Sequence, residues 1–438
     1  MRHNLPILLV CLAALYYLAA GTYKASHFSA DFIPVYSGAR CFLHGCNPYD
    51  PAEMQAEHLR TGGKPPRMTN EYWASRNMIL LYPPSTLLVL SPLTLFSFPV
   101  SAVLWALLGG GLFLAAIGLV LSACPQDYFW LAAILASIFL VVDSPSLLGT
   151  GNPATFACAL AMAGAMFFLR NRNIPLAVVL LTLSVTIKPQ VGGLIVLYFF
   201  VRKIHWRGAA IVLGASFVIL LLACSALELR ASTRNWMPML RADIAGSVQP
   251  GQVDDPTPAN IEYGDLINLQ TITSVFIANP KGYNAVAWAI FLALLTVWMC
   301  AVRTTNAGRT DHFFALPPLL VLSLLPVYHR GCDDLLLILA IPMILTVMQR
   351  HRVLGSAMAT ATALPHLLVV VIPKIMSFVD RFWNAHSILN HKLVFILLLR
   401  YQCPVLLLIF GLYMAGMFTT ENASDAASTV AHGEAYSM

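Results

Sequence analysis

Long apolar runs, each closed by a short polar or basic break, dominate the pattern of this chain. About 20 apolar residues cross a bilayer as a helix, and fewer suffice where a segment is broken. On that criterion the pattern predicts spans near 5–23, 98–121, 126–142, 152–169, 174–187, 189–201, 208–227, 283–302, 312–327, 335–349, 353–372 and 401–419. The stretch 84–95, opened by paired prolines, is about 20 Å long as a helix, and length alone does not decide whether it crosses. The periodicity therefore predicts an all-α polytopic membrane protein, with about twelve transmembrane helices and further interfacial ones. The first run is expected to remain as a span, since AAGTYKASHF offers only a poor small-residue cleavage site.

Composition strengthens this reading. Apolar residues make up 58% of the chain and charged residues 11%, against roughly 25% charged in soluble proteins. So few charges cannot cover a water-facing surface, and the mean hydropathy of +0.73 agrees. A string of soluble domains, a disordered chain, collagen and a small secreted scaffold are excluded. The net charge of +6 is scattered and forms no basic, aromatic-interleaved face for nucleic acid. The nine cysteines show neither CxxC nor a Cys/His cluster, so no zinc site or disulfide framework is indicated. Cys11, Cys158, Cys224, Cys300 and Cys403 lie in apolar runs as packing residues. Cys41 and Cys46 flank a short turn and read either as one bridge, in an oxidising compartment, or as two free thiols.

Charge sets the orientation. If 84–95 does not cross, the loops with Arg170/Arg172, Arg202/Lys203/Arg207, Arg303/Arg309 and Arg350/Arg352 share one side with Arg2. Basic loops belong in the cytoplasm, so both termini are expected there, with 84–95 interfacial or re-entrant on the outer face. Of twenty acids, Asp127, Asp311, Glu421, Asp425 and Glu434 are then inner, and the rest are at or beyond the outer face. The long loops 24–97, 228–282 and 373–400 are outside as well. The organisation expected is one integral membrane domain over 1–420, then a small, polar, disordered cytoplasmic tail, 421–438. Asn422-Ala423-Ser424 in that tail is a sequon by spelling only. Arg400 sits about one turn from an outer boundary and can snorkel.

The outer face holds the candidate chemistry. Asp31 precedes a short amphipathic helix, about 33–44, that ends at Gly45. Asn47-Pro48-Tyr49-Asp50-Pro51 is a turn that launches a second short helix. Tyr82-Pro83-Pro84 fixes the entry to the 84–95 helix. By itself Asp31 reads as a helix N-cap at least as well as a catalyst.

Taken in order, these motifs resemble the GT-C superfamily of membrane glycosyltransferases, and in detail glycosyltransferase family 87. That family includes polyprenyl-phosphate-mannose-dependent mannosyltransferases and related arabinofuranosyltransferases. The resemblance rests on Asp31 with Ala39-Arg40, on Gly45 to Pro51, and on Tyr82-Pro83-Pro84. Further along it rests on Gly151-Asn152-Pro153, Thr186-Ile187-Lys188-Pro189, Asn268-Leu269-Gln270-Thr271 and Tyr328-His329-Arg330. It runs over roughly 5–350; the last ninety residues match only as apolar spans. Members commonly carry Gly-Gln before the Asn-rich turn, where this chain has Thr150-Gly151-Asn152-Pro153.

The resemblance implies inverting transfer of a sugar, mannose foremost, from a polyprenyl-phosphate donor to a hydroxyl of a glycolipid or glycan acceptor. It places the protein in the inner (plasma) membrane as a multi-pass, cell-envelope enzyme with its active site on the periplasmic, extracytoplasmic face. Asp31 is implied as the base. Lys188, His329 and Arg330 are implied at the donor phosphate, and Tyr49, Asp50, Tyr82, Asn152, Asn268 and Gln270 at the substrates. Each has a plainer alternative. Asp50 suits an N-cap or Asx-turn, Lys188 an interfacial snorkelling lysine, and Arg330 a partner for Asp333 or Asp334. Tyr82, Asn268 and Gln270 can equally satisfy loop backbone. The partners implied are the lipid-linked donor, the acceptor and the bilayer. No cofactor or metal is expected, and the absence of a DxD motif, Gly-rich phosphate loop or Rossmann pattern argues against a nucleotide-sugar donor.

Two other classes fit part of the pattern. A twelve-span transporter or lipid-linked-sugar flippase predicts charges within spans and related halves, and neither is evident. A membrane scaffold or acyltransferase-like enzyme would need a His within a span paired with Asn or Asp. Only His366 lies within a span, where it reads as a packing residue.

Overall fold

A computed structural model describes residues 4–64, 78–142, 144–260, 266–304, 312–382 and 391–435, giving backbone alone for 379–382 and 420–435. Arg2, Arg309 and Asp311, used above to orient the chain, and His386 lie outside the described residues. Every described element is a helix, α or 3-10, apart from an isolated antiparallel bridge between Ile267 and His329. The protein is an all-α, polytopic membrane protein.

Among the described residues, seven helices are long and apolar enough to cross a membrane: Asn4–His27, Phe98–Leu121, Gln126–Thr150, Trp206–Glu228, Pro280–Thr304, Arg352–Phe378 and Gln402–Thr419. All seven fall on spans expected from the sequence. Pro153–Leu169, Ile174–Ile187, Pro189–Val201 and His312–Leu324 are shorter apolar helices at four further expected spans. The segment 335–349 differs. It is a 3-10 helix, Asp334–Ala340, followed by an α-helix, Ile341–Arg350. Pro342 has no N–H to return to Ile338, and the Ile341 N–H takes that carbonyl instead, so the α-helix starts only there. The last helix, Gln402–Ala435, runs on into the polar segment set apart as a tail by its composition.

The chain divides into two compact units, one of residues 11–118 and 140–255, the other of 1–10, 119–139 and 256–438. The first unit builds its core on aromatic rings from the segment 24–97 and adjoining helices. Phe32 stacks on Trp105 with ring centroids 5.6 Å apart, Trp105 meets Phe156 at 4.4 Å, and Tyr36 packs edge-on against Phe98 at 5.5 Å. Such pairs add about 0.5–1.5 kcal/mol each beyond the area they bury. The Phe32–His44 helix ends at Gly45, whose φ of +85° lets its N–H return to Cys41 O. Cys41 and Cys46 are disulfide-bonded across this turn.

Deeper in the same unit, the Pro153–Leu169 helix presents Ala154, Ala157, Ala161 and Ala165 along a buried stripe. Small side chains let helix backbones come close in lipid, and Ser184 of the Ile174–Ile187 helix donates to Ala157 O at 2.8 Å. In the second unit Arg400 does not snorkel. It is fully buried and donates to Thr257 O at 3.2 Å and Asn260 O at 2.7 Å.

Candidate functional site

Asp31, Tyr49, Asp50, Tyr82, Asn152 and Lys188 belong to the first unit, and Asn268, Gln270, His329 and Arg330 to the second. Asp31 stands at the N-cap position of the Phe32–His44 helix, yet its side chain makes no capping bond. Its backbone N–H donates to Thr150 O at 2.9 Å, and its Oδ2 accepts from Asn152 Nδ2 at 3.1 Å. Oδ1 accepts no hydrogen bond among the described residues. The carboxylate is therefore held at one oxygen and open at the other, the arrangement a proton acceptor needs.

The turn that holds it is specified locally. Asn152 caps the Pro153–Leu169 helix, its Oδ1 accepting from Ala154 N–H at 2.9 Å, with Pro153 at the first helical position. Gly151 before it has φ +71°, and a Cβ there would lie 2.7 Å from Phe32 Cβ. Only glycine fits both conditions. Trp105 Nε1 donates to Gly151 O at 2.9 Å, tying the turn to the aromatic core.

Tyr82 and Tyr49 extend the network. The Tyr82 hydroxyl donates to Asn152 Oδ1 at 2.9 Å, and the buried Tyr49 hydroxyl donates to Tyr82 O at 2.9 Å. Burial first, then the neighbouring Cys224 and Asp243, pushes the Tyr49 phenol well above its usual range, so it remains a donor. Asp50 is occupied as a cap: its Oδ1 accepts from Ala52 N–H at 2.9 Å and Glu53 N–H at 3.3 Å.

Lys188 is buried at the break between the Ile174–Ile187 and Pro189–Val201 helices, with extended backbone at φ −144°. The orphan carbonyls of that break are satisfied from the Pro84–Leu90 helix. Ser85 Oγ donates to Thr186 O and Thr86 Oγ1 to Ile187 O, each at 2.9 Å. The proline pair at 83–84 thus docks one helix start against the Lys188 turn. The helices on either side are 14 and 13 residues long, about 20 Å each, well short of a hydrocarbon core of about 30 Å.

In the second unit, backbone pairing joins two candidate segments. Ile267 N–H donates to His329 O at 2.9 Å and His329 N–H returns to Ile267 O at 3.2 Å. The buried His329 imidazole meets Asp333 Oδ2 through Nδ1 at 2.8 Å, and its Nε2 has no hydrogen-bond partner among the described residues. Arg330 donates through Nε to the Tyr328 hydroxyl and lies over that ring, 5.6 Å from its centroid. Asn268 Oδ1 accepts from Thr271 N–H at 3.0 Å, and Gln270 Nε2 donates to Pro326 O at 3.1 Å. Both amides satisfy loop backbone. His366, placed among packing residues by sequence, lies 3.4 Å from Asp334 through Nε2 and against the Phe139 ring.

The sequence reading did not single out Asp243. It lies on the Trp236–Ser247 helix, with one carboxylate oxygen buried and without a hydrogen-bond partner among the described residues, and burial pushes its carboxyl up to about 6. The signal was present as helical spacing: Trp236, Met239, Leu240 and Asp243 fall on one face. Among the described residues no three His, Cys, Asp or Glu side chains converge as metal ligands.

The model of glycosyltransferase family 87 matches residues 80–262 of this chain, in agreement with the resemblance carried by its motifs. The matched stretch contains Tyr82, Asn152 and Lys188. No curated protein and no solved structure matches the chain. Multi-pass helical architecture and the family match together support a membrane glycosyltransferase.

Proposed function

We propose that this protein transfers a sugar, mannose foremost, from a polyprenyl-phosphate donor to a glycolipid or glycan hydroxyl on the extracytoplasmic face of the inner (plasma) membrane. The single observation that carries the reading is the state of Asp31. Its carboxylate is free of the capping role its position offers and is held at one oxygen by Asn152. The acceptor hydroxyl gives its proton to Asp31 Oδ1 as its oxygen attacks the anomeric carbon. A new glycosidic C–O bond forms there, with inversion. The bond from that carbon to the phosphate oxygen breaks, and its electron pair leaves with the polyprenyl phosphate.

Charge then develops on the leaving phosphate, and preorganised cations stabilise it in a dry site. Lys188 supplies one, since it is buried and sits at a helix start whose dipole also favours anions. The Cys41–Cys46 disulfide supports an oxidising location for the first outer loop.

The test supplies labelled polyprenyl-phosphate mannose to membrane vesicles containing the protein and follows label into lipid-linked or polymeric product. Transfer above protein-free vesicles is expected. Transfer from an arabinose donor alone would change the sugar, and transfer from neither would remove the lipid-phosphate reading.

A further inference from the structure

Asn152 is usually the kind of residue assigned to a sugar hydroxyl, but its hydrogen-bonding capacity here is largely committed. Its Oδ1 receives two donors, Ala154 N–H and the Tyr82 hydroxyl, both at 2.9 Å. An amide oxygen has two acceptor sites and the amide nitrogen only donors. The oxygen fixed in this way turns the NH2 group the other way, and there it meets Asp31 Oδ2 at 3.1 Å. A flipped amide would set NH2 against the Ala154 N–H and oxygen against a carboxylate, losing both of those bonds, while the Tyr82 hydroxyl could accept in either orientation. The orientation is thus settled by the network itself.

We infer that Tyr82 and Asn152 are positioning residues for Asp31 rather than sugar contacts, which rests on Asp31 being the base proposed above. Rotation of a carboxylate about its last torsion is broad and two-fold, so a single carboxylate left alone presents either oxygen at any angle. One amide bond on Oδ2 removes that freedom and leaves Oδ1 for the acceptor hydroxyl. The hold is itself braced at three further points. Asp31 N–H reaches Thr150 O at 2.9 Å, Trp105 holds Gly151 O at 2.9 Å, and Tyr49 holds the Tyr82 backbone carbonyl at 2.9 Å. A sugar would find one amide hydrogen of Asn152 left to bind.

The decisive variant is Asn152→Asp in the full-length protein. It keeps the oxygen that Ala154 and Tyr82 address, and it sets a second carboxylate oxygen where the NH2 had met Asp31. Two carboxylates in contact resist joint ionisation. The readout is carbodiimide labelling of Asp31, followed by peptide mass spectrometry across pH with no donor present. The midpoint of labelling is expected to move up by about one pH unit or more in the variant. Tyr82→Phe, which preserves both Asn152 and the fold around it, is expected to lower kcat about three- to tenfold with donor KM within about twofold, the pattern of lost preorganisation. A labelling profile that overlays the wild type, or Tyr82→Phe and Asn152→Ala acting on KM with kcat intact, would overturn the inference. A wild type that transfers no sugar while the Asn152→Asp midpoint shifts would overturn the transferase reading alone.

Discussion

Asn152 Nδ2 lies 3.1 Å from Asp31 Oδ2, across 121 residues of sequence. The bond ties the turn before the Phe32–His44 helix to the start of the Pro153–Leu169 helix. It makes the position of the candidate base depend on a loop that is distant in sequence.

That dependence predicts the effect of crowding the loop. Gly151→Ala forces a Cβ to within 2.7 Å of Phe32 Cβ at a φ of +71°. A left-handed non-glycine residue costs on the order of 1–3 kcal/mol. Thermal unfolding in detergent is expected at lower temperature, with transfer reduced further than the lost folded fraction explains. Unchanged melting and unchanged activity would show that the turn yields freely.

Asp50 is predicted to act on stability. Asp50→Ala removes the cap on the Pro51–Arg60 helix, worth about 1 kcal/mol, while Asp50→Asn retains an accepting oxygen. The first is expected to lower the melting temperature and the second to leave it near wild type, both with acceptor KM unchanged. A large rise in KM for Asp50→Asn would instead place this side chain on the substrate.

Asp243 gives the Trp236–Ser247 helix a pH dependence. Its carboxyl titrates near 6 when folded, against an ordinary 3.8, so the folded state favours the neutral acid. Between those values the unfolded chain holds fewer protons, and stability falls as pH rises from about 4 to about 6. Asp243→Asn removes the ionisable group. Its melting temperature is expected to exceed wild type at pH 7.5 and to converge with it near pH 4. The same difference at both pH values would mean the charge is not the cause.

Lys188 is predicted to act on chemistry. Lys188→Met retains length and burial without charge, and losing one such electrostatic contact costs about 10²–10³ in kcat. Stopped-time assays at saturating donor would show this drop. A kcat within about twofold of wild type would assign Lys188 to the structure of the helix break, where it is already buried.

Much of the fold was legible because lipid imposes length and apolarity on every span. The sequence therefore showed the long helices such as Phe98–Leu121 and Trp206–Glu228 almost to the residue. It read 335–349 as one uniform run because Leu and Ile look alike in α and 3-10 form, so the change of helix type before Pro342 was not visible. Within the candidate site, Asp50 could be read as a cap because capping is a local pattern of three residues. The Asp31–Asn152 bond could not, because no short-range rule relates positions 31 and 152. Arg400 was misjudged for a similar reason: its carbonyl partners at 257 and 260 belong to a distant loop. Asp243 escaped notice because an acid on a short helix between spans ordinarily faces water.

The central claim is that Asp31 accepts the proton of the attacking hydroxyl. The measurement that tests it most directly is single-turnover transfer from labelled polyprenyl-phosphate mannose by wild type and Asp31→Asn, at matched protein levels, with donor binding measured in parallel. Asparagine keeps the size of the side chain and removes its basicity. A positioned general base contributes about 10²–10⁴ in rate, so transfer by the variant is predicted to fall by that factor with donor affinity retained. Equal rates in the two proteins would contradict the assignment.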